Sequence, residues 1–251
     1  MNIRTTQFLT GLMALTTAGA ASAAAISVTT GIDPTTQTGA TLIDNDTGIY
    51  QVAANVGGTS SQDVTVDGTL FLGASGVTNS VTANGVTIAW TNDGGGGSEE
   101  NSGNSTYGTA GDGDLEDLMV DLLFSGRTES GNPNSDIQLT ISGLTDGVEY
   151  RVQLLMDADG TGSAFRDFVA VTDGTVSTGA FQVGEPAGGA SVIYTFTADN
   201  TGSVDLTLDG NESAPFVRTV LSGVSVYEVP EPSSLALLAL GGACLLRRRR
   251  A

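Results

Sequence analysis

Apolar residues at every second position are the feature of this 251-residue chain that most restricts its fold. Successive side chains of a strand point to opposite faces, so this spacing makes one face for a core and one for water. In "IQLTISGL" Ile137, Leu139 and Ile141 share a face, and in "YRVQLLMD" Tyr150, Val152, Leu154 and Met156 do. "SVIYTFTAD" and "GSVDLTLDG" repeat the pattern, as do "AISVTT", "YQVAANV", "DVTVDGTLFLG" and "SVTANGVTIAW" in the first half. The polar link "SGLTDGVE" predicts a hairpin between the first two of these strands. Asn84-Gly85 predicts a two-residue hairpin turn, and "TVLSGVSVYEV" reads as one last strand with Gly223 as a bulge. Short strands separated by Gly/Asp turns predict an all-β fold, a single jelly-roll-like β-sandwich.

One segment keeps a different period. In "DGDLEDLMVDLLFSG", Leu115, Leu118, Met119, Leu122 and Leu123 recur at helical spacing, which predicts one short amphipathic helix with Asp114 as N-cap. Residues 92–113, "NDGGGGSEENSGNSTYGTAGDG", show no period and much glycine, so they are expected to form a flexible loop.

The two ends follow other rules. The opening "MNIRTTQFLTGLMALTTAGAASAAA" has a basic Arg4, a mostly apolar stretch, and Ala21-Ser22-Ala23 as an A-x-A signal. That order predicts a secretory signal peptide cut after Ala23. Near the other terminus runs "VPEPSSLALLALGGACLLRRRR". As a helix its apolar run Leu235–Leu246 is about 18 Å long, against about 30 Å for a hydrocarbon core. This predicts a short hydrophobic helix held transiently at a membrane, with the arginines on the cytoplasmic side. A buried core helix seldom ends in four adjacent like charges at a terminus.

Pro230-Glu231-Pro232, the hydrophobic run, and Arg247, Arg248, Arg249 and Arg250 in that order resemble the PEP-CTERM sorting signal. The resemblance implies a partner, a membrane-embedded, cysteine-protease-like exosortase, in a Gram-negative bacterium that makes exopolysaccharide. It implies removal of the tail and release or attachment of the body at the cell surface, with membrane contact only through the tail before processing. The organisation is then a signal peptide at 1–23, a β-sandwich at 24–228 and a sorting signal at 229–251. From Ser135 to Glu228, a Gly-Leu-Thr-Asp-Gly turn leading into Tyr150-Arg151-Val152 resembles malectin-like and galactose-binding-like jelly rolls. That likeness implies a sandwich and carries over no ligand residue.

Composition excludes several functions. The four arginines between residues 24 and 229 stand against 27 acids, a charge of −23, and the chain has no lysine. Such a body is no general nucleic-acid binder, because phosphate contacts need basic residues. It also contains no His and no Cys, since Cys244 lies in the tail. This removes Ser-His-Asp triads, cysteine nucleophiles, His/Cys zinc sites and the P-loop lysine. Only a carboxylate pair remains for catalysis, as in glycosidases.

Two binding candidates follow. "DADGTGSAFRDF" resembles a calcium loop, but Thr161 and Phe168 occupy positions where an EF-hand wants an oxygen ligand and Glu. A looser calcium site would use Asp157 and Asp159 with backbone carbonyls; a solvated turn is the plain alternative, and no other cofactor is expected. Extracellular polysaccharide would need aromatic platforms, for which Trp90 and Tyr107 are the candidates, with a core position the plain alternative for Trp90. The expectation is an exported, non-catalytic surface or matrix protein. The alternative is a carbohydrate- or calcium-binding module, and a carboxylate-based glycan hydrolase ranks third.

Overall fold

A computed structural model describes residues 23–32, 39–43, 45, 48–57, 62–76, 78–92, 97–100, 113–125, 136–157, 167–184, 188–210 and 219–230. The elements of the first half are β1 (Ala25–Ile32), α1 (Gly39–Leu42), β2 (Ile49–Val56), β3 (Val64–Val66), β4 (Thr69–Ala74), β5 (Thr78–Ala83), β6 (Val86–Asn92), β7 (Gly97–Glu100), α2 (Gly113–Val120) and β8 (Asp121–Ser125). The second half adds β9 (Ile137–Ser142), β10 (Glu149–Met156), β11 (Asp167–Thr172), β12 (Phe181–Val183), β13 (Gly189–Thr197), β14 (Ser203–Gly210), β15 (Thr219–Leu221) and β16 (Gly223–Glu228).

These strands form an all-β sandwich. A seven-stranded sheet runs β1-β13-β10-β16-β2-β4-β3, a six-stranded sheet runs β12-β11-β14-β9-β6-β5, and β15-β8-β7 make a small third sheet. Every pairing is antiparallel except β2 with β4. Alternation does what it predicts: Val152, Leu154 and Met156 face Ile88, Trp90, Leu139 and Leu206 across one core.

A second core lies elsewhere. Ala53 and Leu155 pack with Phe71, Leu115, Leu118 and Met119 in a separate cluster. Their neighbours in sequence, Val52, Ala54, Leu154 and Met156, belong to the first core. The seven-stranded sheet is therefore covered on both faces where β2 and β10 run, and this is why "VAANV" and "QLLM" lose strict alternation. Several buried polar groups on this second side are paired, although Asn55 Oδ1 and Ser225 Oγ have no hydrogen-bond partner there. Gln153 Nε2 donates to Leu42 O at 2.7 Å and Ser191 Oγ at 2.8 Å, and the Thr69 and Tyr227 hydroxyls lie 2.7 Å apart.

Four expectations are corrected. First, β9 and β10 do not form a hairpin; they lie in different sheets, and residues 143–148 cross the end of the sandwich. Periodicity fixes which face of a strand is apolar and leaves its sheet open, and two strands facing one core from opposite sheets satisfy it equally. Second, the last strand is two, because β15 joins β8 in the small sheet while β16 joins β10 and β2. Ser222 lies between them, its N–H donating to Leu155 O at 2.8 Å and its carbonyl accepting from Val56 N at 2.9 Å. The register shift lies at Val226/Tyr227, not at Gly223, whose bare Cα accommodates Leu118. Third, the helical pattern stops early: α2 ends at Val120, and Leu122 and Leu123 are strand residues of the sandwich core. Among the described residues of the body there are two short helices, α1 and α2, where one was expected. Fourth, Gly97–Glu100, expected in a loop, pair with β8.

The Asn84-Gly85 turn is as expected. Its φ values of 50° and 83° are both positive, the requirement of a type I′ hairpin turn. Asp67-Gly68 repeats it between β3 and β4 with 47° and 77°.

Candidate functional site

The tail leaves the body from the middle of a sheet. β16 lies between β10 and β2, and its last residue, Glu228, pairs with Tyr150 on one side and Ile49 on the other. One residue further, the Val229 N–H still donates to Glu149 O at 2.8 Å. Pro230 is exposed. The folded body thus continues to the first residue of the Pro-Glu-Pro sequence. Glu231, Pro232, Arg247, Arg248, Arg249 and Arg250 lie outside the described residues.

The point at which a signal peptide is expected to be cut is close by. Ala25 pairs with Thr195, which pairs with Arg151, which pairs with Tyr227. Continued by one residue, this register puts Ala24 in the row of Phe196, Tyr150 and Glu228, three strands from Glu228, or about 14 Å at the usual interstrand spacing. Ala23 is exposed, and Ala21 lies outside the described residues.

The ligand candidates fare differently. Trp90 is 1% exposed, sits with Ile88 on the core side of β6, and donates its indole N–H to Gly76 O at 3.0 Å. The core alternative holds: the ring has no free face for a sugar, because alternation along β6 turns it inward. Tyr107 lies outside the described residues. Asp157 is 3% exposed at the end of β10, so its side chain is no solvated turn residue. Asp159 lies outside the described residues, and among those described no three His, Cys, Asp or Glu side chains gather as metal ligands.

One polar link was not foreseen. Asp173, in the turn after β11, accepts the Tyr194 hydroxyl at 2.6 Å on Oδ2 and the N–H groups of Thr175 and Val176 at 2.7 and 2.8 Å on Oδ1. Burial pushes this carboxyl up, but the bonds from Tyr194, Val176 and Thr175 together outweigh it and hold Asp173 at about 2. Burial, then the bond and charge of Asp173, push the Tyr194 phenol well above its ordinary range. Tyr194 belongs to the seven-stranded sheet and Asp173 to a turn of the six-stranded one, so the pair joins the two layers. A "TDGT" stretch reads locally as a turn, and nothing in it names a tyrosine twenty-one residues away.

The six-stranded sheet turns a polar face outward. Thr82 and Thr87 hydroxyls lie 2.8 Å apart, Thr140 donates to Asp205 at 2.6 Å, and Thr207 donates to Gln138 Oε1 at 2.9 Å.

Residues 228–250 match the PEP-CTERM protein-sorting motif. The chain therefore carries the signal of an exported protein that is held transiently at a membrane, and the match begins on the last residue of β16. No curated protein matches the chain in sequence. Among solved structures it is similar to the ANXUR1 extracellular domain of Arabidopsis thaliana, with 11% identity and a TM-score of 0.46 over 72% of this chain and 49% of that one. The ANXUR2 extracellular domain of the same plant gives 12% and 0.46 over 73% and 49%. The structure of the plant peptide RALF23 in complex with FER and LLG2 gives 17% and 0.43 over 78% and 53%. The chain spans about half the length of each, and likenesses this distant carry no functional weight.

Proposed function

We propose that this is a non-catalytic protein of the cell surface or extracellular matrix, delivered through exosortase processing of its tail in an exopolysaccharide-producing Gram-negative bacterium. The observation that carries this reading is the absence of a spacer. The sorting motif starts on a central strand, so the body reaches the membrane folded up to the point of processing. A body without His, Lys or Cys fits a structural or binding role better than a chemical one. Intact-mass measurement of protein recovered from the surface of the native host is expected to show both the signal peptide and Arg247–Arg250 removed. Recovery of most of the protein with the arginines attached would overturn the reading. Calcium binding through Asp157 and Asp159 is a second reading, favoured by the burial of Asp157 at a strand end.

A further inference from the structure

The outer face of the six-stranded sheet is a grid of small neutral polar groups. Strand register aligns Ser80, Ala89, Thr140 and Asp205 in one row across β5, β6, β9 and β14. The next row is Thr78, Thr91, Gln138 and Thr207, and the row on the other side begins with Thr82 and Thr87. Asp205 is the one carboxylate in these rows, and Thr140 already donates to it. A body with 27 acids places a single charge in these three rows, and the next carboxylate of this face, Asp209, lies beyond them at the end of β14.

The grid is regular and stiff. Hydrogen-bonding groups repeat about 4.8 Å apart across strands and about 6.8 Å apart along them. Threonine is branched at Cβ and has few χ1 choices. The Thr82–Thr87 and Thr207–Gln138 bonds hold four of these side chains in place. Ordering them on binding therefore costs little further entropy.

We propose that this face binds a neutral polysaccharide chain, a claim that names a partner for the matrix role proposed above and rests on it for its biological setting. A repeating neutral surface of donors and acceptors matches a repeating neutral polymer of hydroxyls. An anionic polymer is repelled by the −23 body. With Trp90 turned inward, no aromatic residue lies in these three rows. A single hydrogen bond adds little net affinity, so useful affinity needs many bonds at once, and only a chain long enough to span several strands makes them. The face runs along the side of the sandwich, and the tail leaves from its end, so both work at the same time.

The test is pelleting of the full chain, in mild detergent, with insoluble cellulose, curdlan and amylose, using soluble alginate and short glucose oligomers as competitors. At least one neutral glucan is expected to pellet the protein, and alginate and the short oligomers to compete poorly. Ala89→Glu/Thr91→Glu, two solvent-side changes on β6, is expected to weaken binding at least about tenfold with an unchanged circular-dichroism spectrum. Thr29→Glu/Thr65→Glu, on the other sheet, is expected to bind as the native chain does. The proposal is overturned if none of the three glucans pellets the native protein, if both double variants bind alike, or if alginate competes as well as neutral polymer. A dimer that forms through this face and blocks pelleting would assign it to a second copy instead, and also overturn the proposal. Pelleting needs no export, so its failure leaves the processing test above intact.

Discussion

The two ends of the sandwich are built differently. At the end where the tail leaves, links are short and bonded to one another. Leu144 N donates to Gly202 O, Gly147 N to Ala198 O and Ala198 N to Val148 O, all within 2.9–3.0 Å, and Asn84 Nδ2 donates to Gln51 O at 2.9 Å. At the far end, where β2, β10 and β14 finish, the chain packs closely on buried main chain: Gly57 lies against Leu122, and Ser222 bonds to both Val56 and Leu155. The contrast teaches that the tail end is closed by bonds between its links, while the far end is closed by tight packing against buried main chain.

Glycines at the two ends give the sharpest test of that contrast. Gly57, after β2 at the far end, has φ of +121°, and a Cβ there would fall 2.3 Å from the Leu122 carbonyl carbon. Gly57→Ala combines backbone strain with a clash against buried main chain and is expected to cost about 3 kcal/mol or more. Gly85, in the tail-end turn, has φ of +83° with nothing within 4 Å of the added carbon, so Gly85→Ala is expected to cost about 1 kcal/mol. Urea unfolding of both variants decides the order; equal losses would show that the far end is not the tighter packed of the two.

The link between layers comes next. Tyr194→Phe keeps the ring and removes the bond to Asp173, for an expected loss of about 1 kcal/mol. The carboxyl is depressed from 3.8 to about 2, so its contribution is complete above pH 4 and disappears as pH falls toward 2. Melting curves should therefore lose stability over that interval in the native chain and less of it in Tyr194→Phe. Parallel acid profiles would remove Asp173 from the account.

Smaller effects concern charge. With −23 on the body, added NaCl is expected to raise the melting temperature by screening self-repulsion, and a flat or falling response would contradict this. Calcium at matched ionic strength should add a further, concentration-dependent rise only if the far end holds a site. Asp157→Asn/Asp159→Asn should abolish that extra rise, and equal shifts in both salts would end the calcium reading.

Strand positions and inward faces were legible because pleating links them to residue spacing alone. The partition of strands between sheets was not. β9 and β10 carry the same pattern, and only the turns around Gly143 and Gly202 decide that they oppose each other. Leu122 and Leu123 extended a helical rhythm by chance, and continued burial past Asp121 took them into a strand. The sorting tail could be read in full because a linear signal needs no fold. The hydroxyl grid had its residues in plain view, but its rows exist only once the register of four strands is known.

The position of β16 also sets a clock. Residue 25 pairs with residue 195, and residue 49 with residue 228, so the larger sheet is assembled almost wholly from distant partners. Such topologies fold slowly. Until the last strand emerges, β2, β4 and β3 have no bridge to β10, β13 and β1, and the sheet exists as two unjoined halves. The strand that joins them is the one that pulls the tail behind it. Closure of the sheet thus waits for the same stretch of chain that leads into the sorting motif, and a chain interrupted before residue 223 has neither a closed body nor that motif.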